Sequence, residues 1–166
     1  MSGPRRSHDA PRSDSEPGPG QTLFEFVRHW SRRSSATDGP TAERGRLVLV
    51  TEAVHTLTRR GSAATVNAIA HEIGMDQSGA SRLVRSAADA GYLELRASVS
   101  DGRQRRATVT SRGHTMLADA HDWQEQVFER LTDGWTERQR LDFRRTMTGL
   151  IERSHALDAG GRADSP

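Results

Sequence analysis

The pattern of apolar positions divides the chain into segments of helical length with one interruption. Through most of the chain, apolar residues recur at spacings of three and four, which is typical of amphipathic helices. The segments end at glycines, namely Gly61, Gly74, Gly91, Gly113 and Gly134. Between Gly91 and Gly113, apolar and polar residues alternate instead. The pattern predicts a mainly α-helical protein with one small β element.

The first two predicted helices each carry their apolar residues on one face. The first covers about residues 22–33, with Leu23, Val27 and Trp30 at helical spacing. Residues 34–40 follow as a predicted loop. The second covers about residues 41–60, and its inward positions are Leu47, Val50, Val54 and Leu57. Residues 1–21 are rich in proline, glycine and serine, and we expect them to form a disordered tail.

Two short apolar stripes follow in quick succession. The first consists of Val66, Ile69, Ala70 and Ile73 and ends at Gly74. The second begins after Asp76, a favourable N-cap residue, and consists of Ala80, Leu83, Val84, Ala87 and Ala88. Two amphipathic helices joined by a tight turn predict a helix-turn-helix, in which one face of the second helix packs and the other projects.

The alternating segment predicts a β-hairpin. Its apolar positions are Leu93, Leu95, Ala97 and Val99 before the turn and Ala107 and Val109 after it. The intervening Asp101-Gly102 tolerates the positive φ angles of a tight turn. A hairpin directly after a helix-turn-helix predicts a winged helix over residues 41–113.

Helical spacing returns after Gly113. One long stripe over about residues 114–134 consists of Leu117, Ala120, Trp123, Val127, Leu131 and Trp135. A last helix starts at Thr136, where Gln139 is placed for a capping box, and carries Phe143, Met147, Leu150 and Ile151. We therefore expect two terminal helices over residues 114–155 and a disordered tail over residues 156–166.

Composition limits the size of the core and excludes several kinds of site. The chain has 166 residues, of which 33% are hydrophobic and 5% aromatic, and a mean hydropathy of −0.75. A single core would be thin, so association of subunits is a reasonable way to bury more surface. The absence of cysteine excludes disulfides and thiolate metal sites. No apolar run suits a membrane helix or a secretory signal, and we expect the protein in the cytoplasm.

The charged residues are unevenly distributed. All 24 basic residues are arginines, and the chain has 22 acidic residues. The segment between residues 96 and 112 contains only one acidic residue, Asp101, and five arginines, namely Arg96, Arg103, Arg105, Arg106 and Arg112. Such a segment suggests a polyanionic partner, although a solvated surface is the alternative interpretation.

The projecting face of the second helix of the helix-turn-helix carries groups that can reach base edges and phosphates in a DNA major groove. These residues are Gln77, Ser78, Ser81, Arg82 and Arg85. At the hairpin tip, Arg103 suits the narrow minor groove, and Arg105 and Arg106 suit flanking phosphates. Asp101 either forms the turn or holds Arg103 extended. The alternative for the helix is a solvated face on an ordinary α-hairpin.

These stretches resemble the MarR family of bacterial transcription regulators over about residues 41–154, with the helix at 23–33 included. The matching stretches are TVNAIAHEIGMDQSGASRLVRSAADAGYLELR and DGRQRRATVTSRG, followed by two long helices. Ser81-Arg82 matches the Ser/Thr-Arg pair of the family's recognition helix, and Asp101 and Arg103 match its wing D-x-R. The chain departs from the family at Gly79 and over residues 87–90, where a Leu-Glu pair is common.

The resemblance implies a homodimer built from the first and last helices, which would bind a palindromic operator in double-stranded DNA. Seven of the eight aromatic residues lie in these terminal regions, in agreement with that implication. The expected dimerisation residues are Leu23, Val27, Trp30, Trp123, Val127, Leu131, Phe143, Met147 and Leu150. Ordinary packing within one chain is the alternative.

The resemblance also implies a small-molecule effector whose binding lowers DNA affinity. His29, Trp30, His55 and Trp123 are candidates for lining its site, with packing or surface roles as the alternative. His114 and His121 lie seven residues apart on one helix and do not predict a metal site.

Two functions from different classes fit the sequence. The favoured one is a ligand-responsive, homodimeric DNA-binding regulator, a repressor in the first place and an activator as the alternative, tested by the salt dependence of its duplex affinity. The alternative is a winged-helix adaptor for other proteins. The chain has no P-loop, no G-x-G-x-x-G and no combination of nucleophile, base and oxyanion hole, so neither a cofactor nor an enzyme activity is predicted.

Overall fold

The computed structural model describes residues 16–35, 40–97 and 105–160 and has a mainly helical architecture with a two-stranded antiparallel sheet. In chain order the elements are α1 Pro19–Ser35, α2 Pro40–Arg59, α3 Val66–Glu72, α4 Gln77–Asp89, β1 Leu93–Ala97, β2 Arg105–Val109, α5 Ser111–Leu131 and α6 Glu137–Gly160. The predicted fold class, mainly α with a small hairpin wing, is confirmed. The chain separates into two compact units, one ending at Thr110 and the other beginning at Ser111.

The core of the first unit forms around α2. Val50 and Val54 on this helix are completely buried, as are Ile69 on α3 and Ala87 on α4. The sheet adds residues from both strands, so that α2, α3, α4 and the hairpin share one apolar cluster. Its further buried members are Ala53, Leu57, Ala64, Val84, Leu93 and Ala107. The apolar positions that predicted the helices therefore also form the core.

The helix-turn-helix is closed by hydrogen bonds at both ends of its turn. Gly74 has a φ of +66°, the left-handed conformation that commonly ends a helix. The amide of Met75 donates to the Ala70 carbonyl at 2.9 Å and the amide of Gly74 to that of His71 at 3.3 Å, as in a Schellman motif. Asp76 then caps α4 through its side chain. The turn is thus fixed by local sequence.

The hairpin is anchored at its base and to the segment before α3. Its register pairs Leu93 with Val109 and Leu95 with Ala107, so apolar positions of the two strands lie opposite each other. The Thr110 hydroxyl donates to the Gly91 carbonyl at 2.6 Å. In addition, the Ala107 amide donates to the Ala64 carbonyl at 2.9 Å, and Thr65 forms an isolated bridge with Arg106. This link between β2 and the start of α3 is not predicted by the sequence analysis.

In the second unit, the capping box predicted at Thr136 is confirmed. The Thr136 amide donates to Gln139 Oε1 at 2.8 Å, and the Gln139 amide donates to Thr136 Oγ1 at 3.3 Å. Three aromatic rings pack near this turn: Phe143 stacks on Phe128 with centroids 5.5 Å apart and meets Trp135 edge-on at 5.7 Å. Within the residues described, no helix combines the length and apolar character that crossing a bilayer requires.

Several helices extend beyond their predicted ends. α1 begins at Pro19 and reaches Ser35, α2 begins at Pro40, and α6 continues to Gly160. The structure therefore shortens three segments that were expected to lack regular structure. These are the tails over residues 1–21 and 156–166 and the loop over residues 34–40, each of which includes residues that belong to a helix. Proline at a first helical position loses no hydrogen bond, and the Gly18 carbonyl accepts the Thr22 amide at 3.1 Å.

Candidate nucleic-acid interface

α4 has one buried and one exposed face. Ala80, Val84 and Ala87 are buried, and Val84 and Ala87 belong to the apolar cluster of the first unit. On the exposed side lie Gln77, Ser78, Arg82 and Arg85, with Ser81 partly buried between the two faces. Hydroxyl, amide and guanidinium groups thus cover the face that packing leaves open. These are the groups that hydrogen-bond to base edges and phosphates.

The first turn of α4 is organised by one carboxylate oxygen. Oδ1 of Asp76 accepts the Ser78 hydroxyl at 2.6 Å and the Gly79 amide at 2.8 Å. These two bonds, that of the Ser78 side chain foremost, hold the pKa of Asp76 below its ordinary value of 3.8. The Ser78 hydroxyl therefore donates its proton to the cap, and toward any other group it can act only as an acceptor.

Position 79 has little room for a side chain because two neighbouring residues occupy the space beside it. A Cβ at this position would lie 3.0 Å from Met75 Cε and 3.1 Å from Asp76 Oδ2. The glycine by which the chain departs from the family pattern therefore lets the turn pack closely on the helix.

The two arginines of β2 lie on opposite faces of the hairpin. Successive side chains of a strand alternate, so Arg106 shares the face of Arg96, its partner in the register, whereas Arg105 is paired with Ala97. Both arginines of β2 are exposed. They can reach different phosphates but do not form one adjacent pair.

An ion pair that the sequence analysis did not single out lies on β1. Arg96 Nε donates to Glu94 Oε1 and Arg96 Nη2 to Glu94 Oε2, both at 2.9 Å. The hydrogen bonds from Arg96 lower the pKa of Glu94, and those to Glu94 raise the pKa of Arg96. The signal available in the sequence is the spacing of two residues, which places both side chains on one face of a strand.

The remaining residues of the expected wing tip, Asp101 and Arg103, lie outside the described residues. Their contact with the minor groove stays a prediction. At the other side of the helix-turn-helix, Arg60 Nη1 lies 3.2 Å from Glu72 Oε2, which joins the end of α2 to the end of α3.

Most of the residues expected in a dimer interface are exposed in the single chain. On α1, Leu23 is 39% and Val27 48% exposed, and Phe24 and Phe26 are more exposed still. Trp30 is partly buried and contacts Phe26, with ring centroids 6.2 Å apart. α1 therefore presents apolar surface that its own unit does not cover.

The second unit has a comparable apolar surface of its own. Trp123, Leu131, Phe143 and Leu150 are exposed, at 57%, 55%, 38% and 41%, whereas Val127 and Met147 are partly buried. Ile151 and Leu157 extend this surface along α6 and were not among the expected interface residues. The apolar spacing of α6 beyond Leu150 could have revealed them.

The four candidates for an effector site are distributed over three helices. His29 and Trp30 meet edge-on on α1, with centroids 6.1 Å apart. His55 lies half-buried on α2, and Trp123 lies on α5 in the second unit. Across the part of the chain that the structure describes, no three His, Asp or Glu side chains are grouped as metal ligands would be.

Comparison with known proteins identifies the fold. A sequence model of the MarR family matches residues 50–104, from the middle of α2 into the wing. A crystal structure of MarR superposes with a TM-score of 0.64 at 21% identity, covering 88% of this chain and 97% of that one. The structure of a MarR transcriptional regulator from Methanosarcina mazei Go1 superposes with a TM-score of 0.61 at 14% identity, covering 82% of this chain and 98% of that one.

A third similar structure is that of BpsR from Bordetella bronchiseptica, a protein whose DNA binding is regulated by 6-hydroxynicotinic acid. It gives a TM-score of 0.51 at 16% identity and covers 78% of this chain and 98% of that one. No curated protein sequence matches the chain. The structures establish the fold, and together with the family model they confirm the predicted resemblance to the MarR family.

Proposed function

We propose that this chain, which has the winged-helix fold of MarR transcription regulators and matches that family's sequence model over residues 50–104, regulates transcription by binding double-stranded DNA. The observation that carries the proposal is the exposed face of α4, where packing turns Gln77, Arg82 and Arg85 outward. In this role α4 enters the major groove, and the wing lies over the adjacent backbone and minor groove. The exposed arginines of β2 supply charge for phosphates.

The proposed regulator is a homodimer. Exposed apolar residues on α1, and separately on α5 and α6, supply the surface that a second copy would cover. A two-fold dimer presents its two recognition helices about one DNA turn apart and so prefers a palindromic operator. The wing contact by Asp101 and Arg103 belongs to the same proposal.

A small-molecule effector that releases the DNA is part of the proposal. It is supported by the fold shared with BpsR, whose DNA binding is regulated by 6-hydroxynicotinic acid. His29, Trp30, His55 and Trp123 are the candidate contacts. A ligand of this kind would shift the protein toward a state with lower DNA affinity.

The proposal is tested by titrating the protein against its own upstream intergenic DNA, with excess nonspecific duplex, at two salt concentrations. Specific retardation that weakens steeply at the higher salt is expected. Arg82→Ala should weaken binding by about 1–3 kcal/mol if Arg82 reads a base edge, and by less if it contacts only a phosphate. Arg153→Ala, an exposed arginine on α6, serves as the control of equal charge.

Two results would contradict the proposal. Retardation absent at both salt concentrations, followed by no enrichment of any sequence from genomic DNA, would exclude operator binding. Binding that neither salt nor Arg82→Ala changes would favour a winged-helix adaptor that recognises proteins.

A further inference from the structure

All the sulfur of this chain is in methionine side chains. The sequence has four methionines and no cysteine, and Met75, Met116 and Met147 lie in the part of the chain that the structure describes. Met116 is buried and only 4% exposed, and Met147 is partly buried, whereas Met75 is 40% exposed. Among these three residues, Met75 is therefore the one that an oxidant in solution reaches first.

Met75 lies in the turn of the helix-turn-helix, between α3 and α4. Its amide donates to the Ala70 carbonyl at 2.9 Å, so its backbone is held by the end of α3. Its side chain extends to the first turn of α4, where Cε lies 3.0 Å from the position that a Cβ of residue 79 would take. Oδ2 of Asp76 lies 3.1 Å from the same position. The thioether and the capping carboxylate thus border one small space at the start of α4.

Oxidation of this thioether would conflict with its surroundings. Oδ1 of Asp76 accepts the Ser78 hydroxyl at 2.6 Å and the Gly79 amide at 2.8 Å, so the carboxylate is fixed in place as the cap. A sulfoxide oxygen carries partial negative charge, which a nearby carboxylate repels. The oxygen also requires hydrogen bonds that a contact between a methyl group and a helix does not provide. The oxidised side chain should therefore leave its position over the first turn of α4.

We propose that Met75 is a site of reversible oxidation by peroxides and that its sulfoxide lowers the affinity of α4 for DNA. The sulfur lone pair attacks one peroxide oxygen, the O–O bond breaks, and an S–O bond forms. The proton of the transferred hydroxyl goes to the other oxygen, which leaves as water. The sulfur is oxidised by two electrons and the peroxide is reduced by two, and a methionine sulfoxide reductase reverses the change.

The inference rests on the proposed DNA-binding function and adds a chemical signal that acts through the turn. In that function α4 enters the major groove, so its contacts with base edges depend on how firmly the turn orients it. Loss of the Met75 side chain from the first turn loosens that orientation. The signal differs from the proposed effector, because it is covalent and does not require a ligand pocket.

The first test locates the modification in the absence of DNA. The full-length protein is treated with hydrogen peroxide and digested, and its peptides are followed by mass spectrometry over time. The peptide that contains Met75 should gain the mass of one oxygen before those that contain Met116 or Met147. Modification of Met75 at the same rate as buried Met116, or more slowly, would overturn the proposed site.

The second test compares the affinity of treated and untreated protein for the upstream intergenic duplex. Treatment should weaken wild type about fivefold, which is equivalent to the loss of one helix cap, and a methionine sulfoxide reductase should restore it. Met75→Leu keeps an apolar side chain of similar volume but has no sulfur. It should bind as untreated wild type does, before and after treatment.

Two further variants complete the comparison. Met116→Leu also removes one sulfur and should remain as sensitive to peroxide as wild type. Met75→Gln places a polar group in the turn and should bind weakly without treatment, and circular dichroism checks that each variant is folded.

The outcomes separate this inference from the proposed function. The inference alone is overturned if untreated wild type binds the duplex and protein oxidised at Met75 binds it equally well, or if Met75→Leu loses affinity on treatment as wild type does. Untreated wild type that binds no duplex overturns the proposed function as well.

Discussion

At the first turn of α4, three neighbouring residues depend on one another for their positions. Asp76 caps the helix, Met75 packs over it, and Gly79 leaves space for both. Glycine in a helix ordinarily costs about 1 kcal/mol relative to alanine. A Cβ at this position would lie 3.0 Å from the Met75 methyl group and 3.1 Å from Asp76 Oδ2, so both side chains would have to shift for alanine to fit.

We expect the effect of Gly79→Ala on stability to depend on Met75. In the wild-type chain the added methyl group displaces Met75 and the Asp76 carboxylate, which offsets the gain in helix propensity. With Met75→Ala the displacement is smaller, so a double-mutant cycle of urea unfolding should show a favourable coupling of about 0.5 kcal/mol or more.

Gly45→Ala on α2 is the matched control for this cycle, since nothing lies within 4 Å of its added Cβ. It should stabilise by about 0.5–1 kcal/mol with or without Met75. Equal effects of Gly79→Ala in the two backgrounds would show that contact with Met75 is not what selects glycine.

The depressed pKa of Asp76 makes the cap sensitive to acid. Because the pKa is lower in the folded chain than its ordinary value of 3.8, the charged cap stabilises fully above 3.8. This contribution is lost as the pH falls from 3.8 through the folded pKa. Asp76→Asn keeps a capping oxygen but does not titrate, so wild type should lose melting temperature relative to this variant only in that acid range. A constant difference from pH 7 to pH 2 would contradict the assignment.

At the scale of elements, the turn before α6 depends on its capping box. Thr136→Ala removes the side-chain oxygen that the Gln139 amide donates to and should destabilise the chain by about 1 kcal/mol, measured by urea unfolding. Thr136→Ser keeps the hydroxyl and should remain close to wild type. If both substitutions cost the same, the methyl group of Thr136 and not the cap is responsible.

Elements built from local signals could be predicted from the sequence, and those built from distant pairing could not. The Gly74 turn, the Asp76 cap and the Thr136 capping box each depend on residues within one or two helical turns. The residue types at these positions are therefore enough to predict them. The pairing of Ala64 with Ala107 depends on backbone atoms, and residues 62–65 show no alternation that would predict a strand. The ion pair of Glu94 and Arg96 does not follow from the basic run between residues 96 and 112, because a count of charges does not tell which face of a strand each side chain occupies.

At the scale of the whole molecule, we expect the exposed apolar residues to determine the oligomeric state. Leu131 is 55% exposed, so the single chain should tolerate a charge there. We expect wild type at twice the chain mass of 18.3 kDa in light scattering, and Leu131→Glu to dissociate it with unchanged helical circular dichroism. Gln124→Glu, exposed on the same helix, introduces the same charge and should stay dimeric. A wild type that is monomeric at micromolar concentration would exclude the expected interface.

The bond between the Ala107 amide and the Ala64 carbonyl also orders events during synthesis. The residues of α3 and α4 leave the ribosome before β2, and the contacts within a helix form quickly because they are local. The strand that ties the start of α3 in place follows later in the chain, and chains emerge from the N-terminus onward. The residues of α3 and α4 therefore emerge before β2 can anchor the start of α3, and the winged module becomes complete only when β2 has emerged.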